Sequence, residues 1–63
     1  MKVKQILKRL YDDGWEVVRQ KGSHRQLQHA TKPGTVTVAG KLSDELHPKT
    51  AKSILRQAQL DDE

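Results

Sequence analysis

The segment Lys21-Gly22-Ser23-His24-Arg25 combines a proton-exchanging side chain with groups that hold anions. A histidine titrates close to neutral pH, so His24 could act as a general base or acid in the cleavage of a phosphodiester. Lys21 and Arg25 would hold the phosphate and its developing charge. Gly22 permits unusual backbone dihedral angles, which let backbone N–H groups approach an anion. An ordinary surface histidine is the alternative that this spacing leaves open.

The other two histidines have simpler interpretations. His29 ends a predicted strand on its core side, where it packs or bonds to a turn carbonyl, and His47 precedes Pro48 in the N-cap region of a predicted helix. The three histidines form no i, i+4 pair and no HExxH motif, so we predict no metal site. The acidic pairs do not suggest a two-metal nuclease, and we predict no cofactor.

Lys49 and Lys52 lie one helical turn apart at the start of a predicted helix. The free N–H groups at a helix N-terminus favour phosphate, so the two lysines are candidates for a phosphate clamp. A solvated helix face is the alternative interpretation.

Composition and charge limit the class of protein. A chain of 63 residues with no cysteine allows one small domain, residues 1–63, without a disulfide framework. The formal net charge is +4, and three of the eight acidic residues form the tail 61–63, so the remainder is strongly basic. This balance favours a polyanion or an acidic protein as partner. No apolar run approaches the length that spans a bilayer, which predicts a protein without membrane association.

Apolar spacing predicts the elements. Val3, Ile6, Leu7 and Leu10 form one helical stripe, which predicts a helix over about residues 2–13 that ends at Gly14. Strands are predicted over 15–20, 24–29 and 35–38, joined as an antiparallel meander. In the second strand, alternation places Leu27 on the core face together with Arg25 and His29, and it places His24, Gln26 and Gln28 on the opposite face.

A second helix is predicted from Pro48, which suits the first helical position. Its apolar stripe comprises Ala51, Ile54, Leu55 and Ala58, with Leu60 closing over it. The order α-β-β-β-α predicts an α+β fold in which both helices cover one face of a three-stranded antiparallel sheet. The other face of the sheet would be open.

Several segments together resemble the HicA (YcfA-like) toxins of bacterial toxin-antitoxin modules. The similarity extends from Lys2 to Leu60. It is carried by the following segments: Gly14-Trp15, Arg19-Gln20-Lys21-Gly22-Ser23-His24, Pro33-Gly34 with Thr35-Val36-Thr37-Val38, Glu45-Leu46, Pro48-Lys49-Thr50 and Ser53-Ile54-Leu55-Arg56-Gln57-Ala58.

The resemblance implies a double-stranded-RNA-binding-domain-like fold and a metal-independent ribonuclease that cleaves messenger RNA in the bacterial cytoplasm. It implies inhibition by direct binding of a HicB antitoxin. The catalytic histidine of the family falls on His24, with Gly22 and Ser23 shaping its approach. The four cations Lys21, Arg25, Lys49 and Lys52 would then position phosphates.

The chain departs from the family pattern in two places. Many members carry a proline and often a second histidine after the third strand, where this chain has Ala39-Gly40-Lys41-Leu42. If that histidine assists the leaving group in relatives, this protein must use a lysine or water instead, or be less active. The second departure is Lys49, which replaces a usual glycine.

Two other classes of function compete with an enzyme. The chain could be a non-catalytic RNA-binding domain or a module that docks an acidic protein. A third interpretation, compatible with an enzyme, is a domain that is stable only beside its antitoxin. Replacing His24 distinguishes an enzyme from a binding module. A binding module would lose the affinity of one contact, whereas an enzyme would lose orders of magnitude in cleavage rate.

Overall fold

The computed structural model describes residues 1–60, so the predicted acidic tail 61–63 lies outside the described residues. The elements are α1 (Val3–Asp12), β1 (Trp15–Lys21), β2 (His24–His29), β3 (Val36–Val38) and α2 (Pro48–Gln57). This order confirms the predicted α-β-β-β-α arrangement. The helix and strand bounds differ from the predicted ones by only a few residues.

Helix α1 buries the predicted stripe of Val3, Ile6, Leu7 and Leu10. Its first N–H groups are bonded by the connector before α2: Val3 N donates to Asp44 O and Lys4 N to Leu42 O. The helix ends before Gly14, whose φ of +104° suits a residue without Cβ. A Cβ built on Gly14 would lie 2.9 Å from His29 Nε2, so the chain also requires glycine here for space.

The three strands form an antiparallel sheet in the order β1-β2-β3. Strand β2 is central, and Leu27 pairs with Val17 on one side and Val36 on the other. The pairing of β1 with β2 shifts between Val17 and Arg19, which marks a β-bulge with Val18 as the extra residue.

Helix α2 begins as predicted, with Pro48 in its first turn and His47 as N-cap. The His47 Nδ1 atom accepts a hydrogen bond from Lys49 N at 3.1 Å, which satisfies one N–H group at the helix start. Ala51 and Ile54 are buried in the helix, and Ala58 is buried just beyond it.

One face of the sheet carries the core. Trp15, Leu27, Val36 and Val38 point from the strands into a single apolar cluster with both helical stripes. The neighbouring side chains on β2, namely His24, Gln26 and Gln28, are exposed on the other face. The predicted open sheet face is therefore confirmed.

A polar network ties the strand ends to both helices. The His29 Nε2 atom lies 2.6 Å from Asp13 O, and its Nδ1 atom accepts from the backbone N–H groups of Thr31 and Lys32. The Lys32 ammonium donates to Asp13 Oδ2 at 2.6 Å and to Ala58 O at 3.2 Å. The prediction that His29 bonds to a turn carbonyl is confirmed.

Because of this network, the stability of the fold depends on the protonation of the Asp13 carboxyl, and therefore on pH. The hydrogen bond from Lys32 holds the pKa of the Asp13 carboxyl below its ordinary value of 3.8. A carboxyl with a lowered native pKa contributes stability above its unfolded pKa, and that contribution is lost as pH falls through the native value. We therefore expect Asp13→Asn to lower the melting temperature at about pH 7, with the difference from wild type closing below about pH 4.

The matched control is Asp12→Asn, which removes only the exposed pair with Lys8 on the surface of α1. Thermal unfolding followed by circular dichroism across this pH range provides the measurement. If the difference in melting temperature between wild type and Asp13→Asn stayed unchanged below about pH 4, the Asp13 carboxylate would not be the source of that stability.

Candidate functional site

The turn between β1 and β2 places His24 at the edge of the open face. Lys21 pairs directly with His24, so only Gly22 and Ser23 connect the strands. Gly22 has a φ of +58° while Ser23 has no positive φ, as in a two-residue type II′ hairpin turn. Ser23 O accepts from Gly40 N at 3.2 Å and from Arg25 at 3.2 Å, which anchors the turn to the chain beyond β3.

The bulge at Val18 decides which side chains accompany His24. Trp15 and Val17 face the core, and strict alternation would send Arg19 and Lys21 to the same side. Because Val18 is an extra residue, Arg19 instead pairs with Gln26 and Lys21 with His24. Both basic side chains therefore share the open face with His24.

These side chains surround a shallow pocket of about 290 Å³. It is lined by Arg19, Lys21, His24, Gln26 and Thr37. The pocket crosses all three strands, and all five residues are exposed. Within residues 1–60 none of the five side chains has a hydrogen bond or an ion pair, so their donors and acceptors are available to a ligand.

The three histidines differ sharply in their surroundings. His29 is bonded through both ring nitrogens, and His47 caps α2 through Nδ1. Within the described part of the chain, His24 is the histidine whose ring nitrogens are both unbonded. It is therefore the one that can exchange a proton with a bound molecule without losing a hydrogen bond of the fold.

The structure does not bring Arg25 to His24. Arg25 lies on the opposite face of β2, where its guanidinium donates to Ser23 O at 3.2 Å and to Gly40 O at 2.9 Å. It borders a different hollow, beside Tyr11 and Leu42. These contacts give Arg25 a structural role in holding the turn that carries His24.

Of the two lysines of α2, Lys49 lies beyond the β3 side of the pocket. Lys49 lines a groove of about 380 Å³ between β3 and α2, and Thr37 borders both that groove and the His24 pocket. Lys52 is exposed on the same helix. A long ligand could reach Lys49 from His24 across Thr37, whereas a ligand confined to the pocket could not.

Sequence reasoning missed Arg19, Gln26 and Thr37 as site residues. For Arg19 the missing information was the bulge, since regular alternation sends it to the core side. Alternation did place Gln26 on the open face, but no sequence pattern assigned Gln26 or Thr37 a role there. The adjacent apolar pair Val17-Val18 was a usable signal, because it interrupts the period of two just before Arg19.

The segment that departs from the family pattern lies close to this pocket. Since Arg25 pairs with Val38 and Gly40 N bonds to Ser23 O, the register places Ala39 opposite His24. Alanine offers no proton donor at this position.

Residues 1–60 contain neither a metal-binding cluster nor a membrane-spanning helix. No group of three or more His, Cys, Asp and Glu side chains there could hold a metal ion. No helix in this range is long and apolar enough to cross a membrane.

The fold and the pocket together define a small α+β domain that presents an unpaired histidine among basic and polar side chains on an open sheet. The sequence model of the HicA toxin family of bacterial toxin-antitoxin systems matches residues 3–60, so the chain belongs to this family. Membership gives the chain a toxin role and implies an antitoxin partner. A comparison with curated proteins finds no match.

Proposed function

We propose that the chain is an endoribonuclease that cleaves messenger RNA in the bacterial cytoplasm, with His24 as its catalytic acid or base. The observation that carries this proposal is the exposed, unbonded imidazole of His24 beside Lys21 and Arg19 in a member of a toxin family. An imidazole with free nitrogens can transfer protons, and neighbouring cations can hold a phosphodiester.

The proposed step uses only the RNA, the protein and water. His24 takes the proton from a ribose 2′-hydroxyl, and the 2′-oxygen attacks the adjacent phosphorus. The bond from phosphorus to the 5′-oxygen breaks, and that oxygen takes a proton from water or from a lysine. The products are a 2′,3′-cyclic phosphate and a 5′-hydroxyl. Selectivity for RNA follows, because DNA has no 2′-hydroxyl.

Lys21 is the cation best placed to hold the scissile phosphate. It pairs directly with His24 across the hairpin, and its side chain shares the pocket. Gly22 and Ser23 set the approach of RNA, because their two-residue turn leaves the His24 end of the sheet uncovered. Arg25 supports this geometry through Ser23 O and Gly40 O.

The proposed partner is a HicB-type antitoxin. An inhibitor that covers the open sheet face would exclude RNA from His24, and it would also stabilise a domain of this size by mass action. The basic charge of the chain suits a partner that presents carboxylates.

RNA and DNA oligonucleotides of one sequence, incubated with the purified chain in a chelator, test the activity. We expect cleavage of the RNA alone, leaving 5′-hydroxyl ends. Cleavage of both polymers would exclude the 2′-hydroxyl mechanism. RNA that is bound and never cut would favour the alternative, a non-catalytic RNA-binding or protein-docking module.

Lys49 and Lys52 are expected to extend the contact with longer RNA. Each contact with a phosphate of single-stranded RNA contributes about 0.7 to the slope of log affinity against log salt. The double variant Lys49→Ala with Lys52→Ala should therefore weaken binding and reduce this slope by about 1.4. Fluorescence anisotropy across a salt series measures it, and an unchanged slope would remove both lysines from the RNA contact.

A further inference from the structure

We propose that Arg19, Gln26 and Thr37 form a second phosphate subsite, which binds the RNA phosphate next to the one that is cleaved. The proposal rests on the proposed ribonuclease function and specifies how the same face holds its substrate. We call this set the Arg19 row.

Strand pairing arranges the open face in rows. Lys21 and His24 form one row, and the Arg19 row lies two residues further along β2. Two residues of a strand span about 6.7 Å, so the two rows are separated by a distance comparable to one extended nucleotide. A chain that places one phosphate at Lys21 can place its neighbour at Arg19.

The chemistry of the Arg19 row suits a phosphate. A guanidinium, an amide and a hydroxyl all supply hydrogen-bond donors, and Arg19 adds a permanent charge. Within residues 1–60 these three side chains are unbonded. The next row along pairs Glu16 with Gln28, so a carboxylate ends the cationic stretch after two phosphates.

In the described part of the chain, the open face carries no Phe, Tyr or Trp side chain. The two large aromatic residues of the chain are Tyr11, which lies on α1, and Trp15, which is buried on the core side of β1. Single-stranded RNA that is read by its bases is commonly stacked on aromatic side chains. With a charged guanidinium and two further hydrogen-bond donors, and with no Phe, Tyr or Trp beside it among residues 1–60, the Arg19 row suits the RNA backbone better than the bases.

A cycle that combines a protein variant with a modified RNA tests this contact. A short RNA cut at one position is prepared with an uncharged methylphosphonate in place of the phosphate on either side of the cleaved one. For the wild type, we expect neutralisation on one side to lower kcat/KM by about 10- to 100-fold. For Arg19→Gln, the same modification should have little further effect, because the partner of that phosphate is already lost.

Arg19→Lys should recover part of the sensitivity, because it restores the charge without the planar guanidinium. The subsite is overturned if a methylphosphonate lowers kcat/KM equally in wild type and Arg19→Gln. It is also overturned if neither methylphosphonate lowers kcat/KM of the wild type.

If the wild type cuts no RNA, the proposed ribonuclease function is wrong, but the subsite can still be tested. The same variants and modifications are then compared by their affinity for 2′-O-methyl RNA. A methylphosphonate that weakens binding to the wild type but not to Arg19→Gln supports the subsite. Equal effects on the two proteins overturn it.

Two deletion variants test whether Arg19 must lie on the open face, because both keep Arg19 in the chain and only one keeps it on that face. Deleting Val18 removes the extra residue and leaves Arg19 opposite Gln26, whereas deleting Gln20 moves Arg19 opposite Arg25 on the other face. Both variants keep Lys21 opposite His24. We expect the methylphosphonate effect to persist without Val18 and to vanish without Gln20, and the reverse would overturn the assignment. If either deletion prevents folding, the Arg19→Gln cycle still decides.

Discussion

Replacing His24 with alanine is expected to lower kcat/KM for RNA cleavage by about 10²- to 10⁴-fold, the usual contribution of a positioned general acid or base. RNA affinity should change far less, by the equivalent of one contact or about 1 kcal/mol. The exposed position of His24 and its unbonded ring nitrogens mean that the fold should persist. Single-turnover kinetics and an anisotropy titration on the same RNA measure the two effects separately.

His47→Ala is the matched control. It also removes an exposed histidine, but one that caps α2 through its bond to Lys49 N. Its expected cost is about 1 kcal/mol of unfolding free energy, with cleavage retained. The assignment fails if His24→Ala still cuts RNA at the wild-type rate, or if both variants lose cleavage equally.

The second large effect concerns stability. Leu27 is fully buried at the centre of the sheet, between Val17 and Val36. Leu27→Ala should cost about 3 kcal/mol, within the 2–5 kcal/mol typical of such truncations. A domain of this size has an unfolding free energy of roughly 3–9 kcal/mol, so the variant should lose a third of it or more.

Urea denaturation followed by circular dichroism measures this loss. The control is Gln26→Ala, one residue away on the open face, which should change the unfolding free energy by less than about 0.5 kcal/mol. Equal effects of the two substitutions would mean that the two faces of β2 do not differ as described.

The fold was largely predictable because local patterns determine it. The stripe of Val3, Ile6, Leu7 and Leu10, the alternation around Leu27, and Pro48 after a capping residue each specify one element. Burial of these stripes then requires both helices on one face of the sheet. The positions of His29 and His47 were predicted for the same reason, since each follows from the end of an element.

The composition of the site was less predictable, because it depends on one irregularity. A single extra residue in β1 exchanges the faces of all residues beyond it, so Arg19 joins His24. Arg25 is adjacent to His24 in sequence, yet alternation in a regular strand turns it away, and its guanidinium holds the turn instead. The position next to His24 in the sequence pointed to Arg25, which supports the turn. Pairing across the sheet points to Lys21 and Arg19, which share the pocket with His24.

If this toxin acts by cutting RNA through His24, its effects on growth and on messenger RNA should appear together. Both are measured by inducing wild type and His24→Ala from a tightly controlled promoter, while following growth and mapping new 5′ ends in messenger RNA. We predict that the wild type arrests growth and generates new 5′ ends, and that cells with equal amounts of folded His24→Ala grow without them. Arrest by both proteins, or arrest without new RNA ends, would mean that cleavage of RNA by His24 is not what stops growth.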